Sequence, residues 1–396
     1  MRRYLTTTLL AITCFLLGAA VTRYYDVRHF PKSRSVPIPD AGNTLARPGG
    51  RTSIDFASEP LWAYGFDRPP SPGEKAQPQP DPTRALRANE DSSEQTRLRH
   101  VPASGAAYSL VAIRDLQNVI DWFPDDHPPM PDVIAHGPTR MGAARRGCGS
   151  CHLPNGKGRP ENASVAGLPV AYFLRQLRDF RDGKRQSADP RKPNTNTMIA
   201  LARSLTNDEA QQAATYFASM SWAPWIRVVE TDLVPRTRID GNLFVPIEQE
   251  KTQPIAGRII EVPEDVEQAE LNRNPRSGFV AYVPVGSVKR GEDLVLRGGM
   301  QAADDTSSRR TTTPCITCHG EKLTGVADIP PLAGRSPSYL VRQMWDMQQG
   351  TRNGDAAQLM TPVLADLSPG DMVAIAAYLA SRPAGGGTGK PAFQRD

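Results

Sequence analysis

The chain has 396 residues, a formal net charge of +5, and 37 prolines beside 32 glycines. That length suits two or three domains, and the Pro and Gly content sets much of it aside for loops and linkers. A negative mean hydropathy excludes a protein built of many membrane spans, and the basic balance comes without a zinc-finger spacing, Lys-rich helix or RNA-binding motif, so no nucleic-acid partner is expected.

Arg2 and Arg3 precede an uncharged, largely apolar run over residues 4–22, which Arg23 closes. A positive start followed by an apolar middle marks residues 1–23 as an export segment, either a signal peptide cleaved after Gly18-Ala19-Ala20 or a membrane anchor. The run just reaches the length of a span, and the two arginines hold the N-terminus in the cytoplasm, which favours the anchor. Residues 24–105 shift to Pro, Arg, Ser and Asp and read as a Pro-rich tether. Trp62, Tyr64 and Phe66 interrupt it and are expected to dock onto a domain.

Residues 106–221 form a first domain with an N-terminal extension, in which the stretch 121–131 is too Pro-rich for a helix. Short alternating runs at 227–229 and 279–283 mark residues 222–286 as an inter-domain insert with a few strands. A second domain follows at 287–383 and a flexible tail at 384–396. The two domains are copies. An offset of 167 overlays Cys148 on Cys315, His152 on His319, Gly158 on Gly325, Arg175-Gln176 on Arg342-Gln343 and Asp179 on Asp346, and after a short deletion an offset of 162 overlays Met198 on Met360 and Tyr216 on Tyr378. In each copy apolar residues recur at helical spacing, over 171–181 and 207–219 in the first and over 338–348 and 369–381 in the second. Thr206 with Glu209, and Ser368 with Asp371, are placed as capping boxes for the last helix.

Four of the five cysteines form two Cys-x-x-Cys-His units, Cys148 and Cys151 with His152, and Cys315 and Cys318 with His319. Two thiols one helical turn apart suit thioether bonds to the vinyl groups of a c-type haem, and the adjacent His suits the iron's axial site. A zinc ribbon or a thioredoxin-type pair explains neither the following His in both copies nor the export segment. Two covalently bound haem c groups are therefore expected. His29, His100, His127 and His136 all precede the first unit, so a second His ligand cannot arise within either repeat. Met198 and Met360 occupy equivalent repeat positions before the last helix and are the expected distal ligands, carried on loops. Met344, Met347 and Met372 lie inside helices and are expected to pack.

These elements, with residues 330–334 (Pro-Pro-Leu-Ala-Gly), resemble class I cytochrome c, and the tandem resembles the dihaem cytochrome c4 group, over residues 141–221 and 287–382. The resemblance implies a mainly α fold: two tandem class I cytochrome c domains with an irregular, β-containing insert and a Pro-rich N-terminal extension. It also implies that a Pro carbonyl accepts the proximal His N–H. Pro331 fits for His319, while the first copy has Ser164 at that position. The insert is about 65 residues longer than simple packing of two such domains requires, which argues against a compact pairing.

An exported dihaem electron carrier follows, with no catalysis of its own. It would pass electrons from a periplasmic or membrane dehydrogenase or quinol oxidoreductase to an oxidase or other acceptor, on the periplasmic side of the bacterial inner membrane. The alternatives are a cytochrome subunit of a dehydrogenase complex, with Trp62, Tyr64, Trp122 and Phe123 as its docking surface, and a dihaem peroxidase, against which Met in both copies speaks. Residues 141–203 hold 12 Lys or Arg against 4 Asp or Glu, so Arg175, Arg178, Arg181, Lys184 and Arg185 read either as a solvated surface or as a docking face beside the first haem for an acidic redox partner or anionic phospholipid.

Overall fold

The computed structural model describes residues 59–75, 91–247, 252–299 and 311–383. The export segment, His29, most of the Pro-rich tether and the C-terminal tail lie outside the described residues. Among the described residues no helix is long and apolar enough to cross a membrane.

Six helices of eleven or twelve residues carry the two repeats among the described residues: α1 (Val170–Arg181), α2 (Pro193–Ser204) and α3 (Asn207–Ala218) in the first, and α4 (Ser287–Arg297), α5 (Pro337–Gln348) and α6 (Pro369–Ala380) in the second. In α1 the buried set Tyr172, Phe173, Gln176, Asp179 and Phe180 follows the helical period and turns one stripe inward. Both capping boxes form as expected. Thr206 and Glu209 start α3, and Ser368 and Asp371 start α6, where Pro369 occupies the first turn and gives up an N–H that has no helical partner. Met344, Met347 and Met372 are buried in α5 and α6, as packing requires.

The insert folds as strands β1 (Ile226–Glu230), β2 (Leu233–Pro235), β3 (Thr237–Asp240), β4 (Leu243–Pro246), β5 (Thr252–Pro254), β6 (Ile260–Pro263) and β7 (Phe279–Val283). β7 is the centre of a three-stranded sheet, parallel to β1 and antiparallel to β6. Its side chains Phe279, Ala281 and Val283 are buried and join the core of the second repeat. The extra length is thus consumed by a sheet that folds back on the second copy, and the two copies meet directly. The expectation that the insert keeps them from pairing compactly is corrected on this point.

Residues 91–105, which composition assigns to the tether, pack against the first domain. Val101 shares a small core with Leu110, Ile113, Trp122 and Phe123, and Trp122 Nε1 donates to Asn272 O in the insert at 2.8 Å. Upstream, the single 3-10 turn Leu61–Tyr64 is buried, with Trp62 and Tyr64 each 1% exposed.

Candidate functional site

The first motif forms a five-residue helix, Cys148–His152, that places both thiols on one turn. It ends at Leu153, whose φ of 62° breaks the helix behind the histidine. His152 is buried, and its Nδ1 lies 2.8 Å from Ala163 O. A carbonyl only accepts, so Nδ1 carries the proton and Nε2 keeps its lone pair. Burial holds the ring below the usual histidine range and therefore neutral. Cys148, Cys151, His152 and Met198 line one cavity of about 180 Å³, walled by Phe173, Leu201 and Phe217. Met198 sits in the middle of α2 rather than on the expected loop, because Pro193 starts a helix early enough to include it.

The second motif repeats this geometry. Cys315 precedes the turn Ile316–His319, His319 is buried, and its Nδ1 lies 2.9 Å from Pro330 O. Burial lowers this histidine as well. Met360 caps the short helix Thr361–Leu364 and packs on the core of the second repeat.

The thiols are the reverse of a redox pair. Burial, and then the neighbouring Cys151, pushes Cys148 up to about 12, and burial pushes Cys315 up to about 11. A thioredoxin-type pair needs a thiol held low enough to ionise. Nor does any group of three His, Cys, Asp or Glu side chains stand together to hold a metal among the described residues. Two thiols on one turn, a buried imidazole with a free Nε2 and aromatic walls instead suit a flat, apolar prosthetic group fixed by two thioether links.

The acceptor for each proximal histidine is one residue earlier than the resemblance implied: Pro330 rather than Pro331, and Ala163 rather than Ser164. The two acceptors are repeat equivalents, separated by 167. What matters is a backbone oxygen, so Ser in place of Pro at the next position leaves the geometry unchanged. Gly158 and Gly325 explain why the repeat keeps glycine beside it. Both have positive φ, and a Cβ there would lie 2.5 Å from Ala163 O and Ile329 O respectively, inside the loop that carries the acceptor.

The two copies share a buried network with near two-fold symmetry. Arg185 donates to Gln176 Oε1, Tyr339 OH and Gln343 Oε1, while Arg352 donates to Gln343 Oε1, Tyr172 OH and Gln176 Oε1, all at 2.7–3.1 Å. Backbone bonds from Gln186 N to Thr351 O and from Asn353 N to Lys184 O close the seam. This takes Arg185 and Arg175 out of the docking face read from the sequence. Arg185 is only 8% exposed, Arg175 is paired with Asp328 and Lys184 with Asp355, both across the seam. Arg178 stays at the surface, with Arg181 paired to Asp182. The signal that finds the network is in the repeat itself, since the offset that aligns the cysteines also aligns Arg185 with Arg352.

No family model matches the chain. It is 31% identical over 235 residues to cytochrome c4 of Azotobacter vinelandii, covering 59% of this chain and 82% of that one. It is 26% identical over 240 residues to the thiosulfate dehydrogenase electron acceptor of Thiomonas intermedia, covering 60% and 78% respectively. Among solved structures, reduced recombinant cytochrome c4 from Pseudomonas stutzeri aligns with a TM-score of 0.37 and 22% identity, over 59% of this chain and 93% of that one. The repeat, the paired motifs and the extent of the first of these matches establish that the chain belongs to the cytochrome c4 family, tandem class I cytochromes c that carry electrons.

Proposed function

We propose that each repeat holds one haem c, through Cys148 and Cys151 in the first and Cys315 and Cys318 in the second, with His152 and His319 as proximal ligands and Met198 and Met360 as distal ones. The observation that carries this reading is the equivalence of the two histidines, each neutral, buried and fixed through Nδ1 by the carbonyl of a repeat-equivalent residue. Haem supplies a one-electron couple when bound. The chain does the rest: the thiols fix the plane, the carbonyls of Ala163 and Pro330 orient the imidazoles, and Phe173 and Phe217 exclude water from the first site.

The donor in this reading is a dehydrogenase or quinol oxidoreductase on the periplasmic side of the bacterial inner membrane, and the acceptor an oxidase or another carrier. A relative named as a thiosulfate dehydrogenase electron acceptor supports a dehydrogenase as donor. Trp62, Tyr64, Trp122 and Phe123 are at most 5% exposed. They wrap the protein's own domains, which favours a carrier over a subunit docked through those aromatics. A pyridine haemochrome assay should find two haems per chain, and Cys→Ala at either motif should remove one. A count of zero or one in the native chain, or bound zinc, would sink the assignment.

A further inference from the structure

Two buried cations, together with the carboxylates Glu161 and Asp346, line the first cavity. They are Lys192 from the first repeat and Arg342 from the second, 2% and 5% exposed. The hydrogen bonds of both run to backbone carbonyls. Lys192 Nζ donates to Tyr64 O at 3.2 Å, and Arg342 donates to Ala63 O through Nη1 and to Pro160 O through Nη2. The neighbouring carboxylates are engaged elsewhere: Glu161 with Arg159, Asp189 with Arg191 at 2.6 Å, and Asp346 with Tyr64 OH at 2.6 Å and Ala188 N at 2.8 Å. Burial, and then the Arg342 guanidinium, push Lys192 well below the usual lysine range. A lysine at that depth keeps its charge only beside an anion.

Among the described residues the second copy shows no such pair. Neither repeat offset gives Lys192 a basic counterpart, since 167 leads to Leu359 and 162 to Gly354. The counterpart of Arg342 is Arg175, which is spent on Asp328.

We infer that Lys192 and Arg342 seat the carboxylate side groups of the tetrapyrrole at the first site, held in position by Ala63 and Tyr64. The first site is then assembled from three stretches: the N-terminal turn, its own repeat and the other repeat. The inference rests on the haem reading above. Lys192 is a positioning residue, and its charge also bears on the iron. A nearby cation disfavours the additional positive charge of the ferric state, so its removal favours that state.

The test is a spectroelectrochemical titration of the full haem-loaded chain. Lys192→Met should move one of two waves downward, with about a tenfold rise in the ferric to ferrous ratio of that site at a fixed applied potential. The other wave should stay in place. Combining it with Met198→His identifies the moving wave as that of the first site. Lys192→Gln, which keeps a donor for Tyr64 O but no charge, should give the same shift, and Lys192→Arg should restore the native position. Two haems per chain with both waves unmoved in the Met and Gln variants would overturn the inference, as would a shift confined to the second site. Fewer than two haems in the native chain would instead overturn the haem reading itself.

Discussion

The same five-residue motif sits in two different frames. In the second repeat, α4 crosses α6 so closely that Gly291 lies against the backbone of Ala374, and a Cβ at Gly291 would run into Ala374 O. That helix pair shares one continuous core with the insert. Among the described residues the first repeat has no long helix before its motif. The four-residue helix Asp132–Ala135 takes that place against α3, and Gly147 fits under the carbonyls of Ile134 and Ala135. The rims differ as well. Cys318 is exposed and Leu359, beside Met360, is 76% exposed, whereas the first cavity is closed by Tyr339, Arg342 and Gln343 of the other copy. The motif's needs are therefore local, namely one helical turn and one carbonyl, and the scaffold around them is exchangeable.

The largest effect should come from breaking the frame that only one repeat has. Gly291→Val forces α4 away from α6 and should cost the second repeat about 3 kcal/mol, read as an early unfolding step at the second site while the first persists. A smaller loss, shared by both halves, should follow Arg185→Met or Arg352→Met. Each strips donors from the buried Gln176 and the half-buried Gln343 and should cost about 2 kcal/mol by denaturant midpoint. The double variant should cost less than the sum, because the two arginines share both glutamines.

The join between the insert and the second repeat has its own signature in pH. Burial raises Glu261 to about 7, against the hydrogen bonds it accepts from Ser338 N and Ser336 Oγ. The folded chain then holds a proton that the unfolded chain releases near 4.5, so this group makes stability fall as pH rises from about 4.5 to about 7. Glu261→Gln should remove that slope. Its stability relative to the native chain should rise by about 2 kcal/mol between pH 5 and pH 8, by denaturant unfolding at each. The smallest effect tests the equivalence of the two histidine acceptors. The buried Ser164 Oγ makes no hydrogen bond among the described residues, and the acceptor is the carbonyl before it. Ser164→Ala should thus shift stability by less than about 0.5 kcal/mol and leave the potential of the first site in place.

Much of this was legible in the sequence, because it is written in side chains at fixed spacing. The motifs, the offset of 167, the helical stripes and both capping boxes depend on residue type and period. Three features were not. The histidine acceptor is a backbone oxygen, which every residue has, so only the loop geometry distinguishes Ala163 from Ser164. Arg185 follows Arg178 and Arg181, and nothing local separates it from them; the repeat equivalence with Arg352 marks the position, but its burial comes from the other copy and required the fold. β1 and β7 pair across some fifty residues, and that register has no periodic trace in either segment. The buried Trp62 and Tyr64 stood out as aromatics in a polar tether, but the partner they meet, the core of the second repeat, required the fold.

The claim that both frames present the same ligand pair is tested most directly by near-infrared magnetic circular dichroism of the oxidised chain, in which a thioether bound to ferric low-spin haem has its own charge-transfer band. The native protein should show intensity for two such sites. Met198→His and Met360→His should each remove half, each lowering the potential of its own site, and the double variant should show none. Full intensity in the double variant, or a native spectrum with only one such site, would contradict the account.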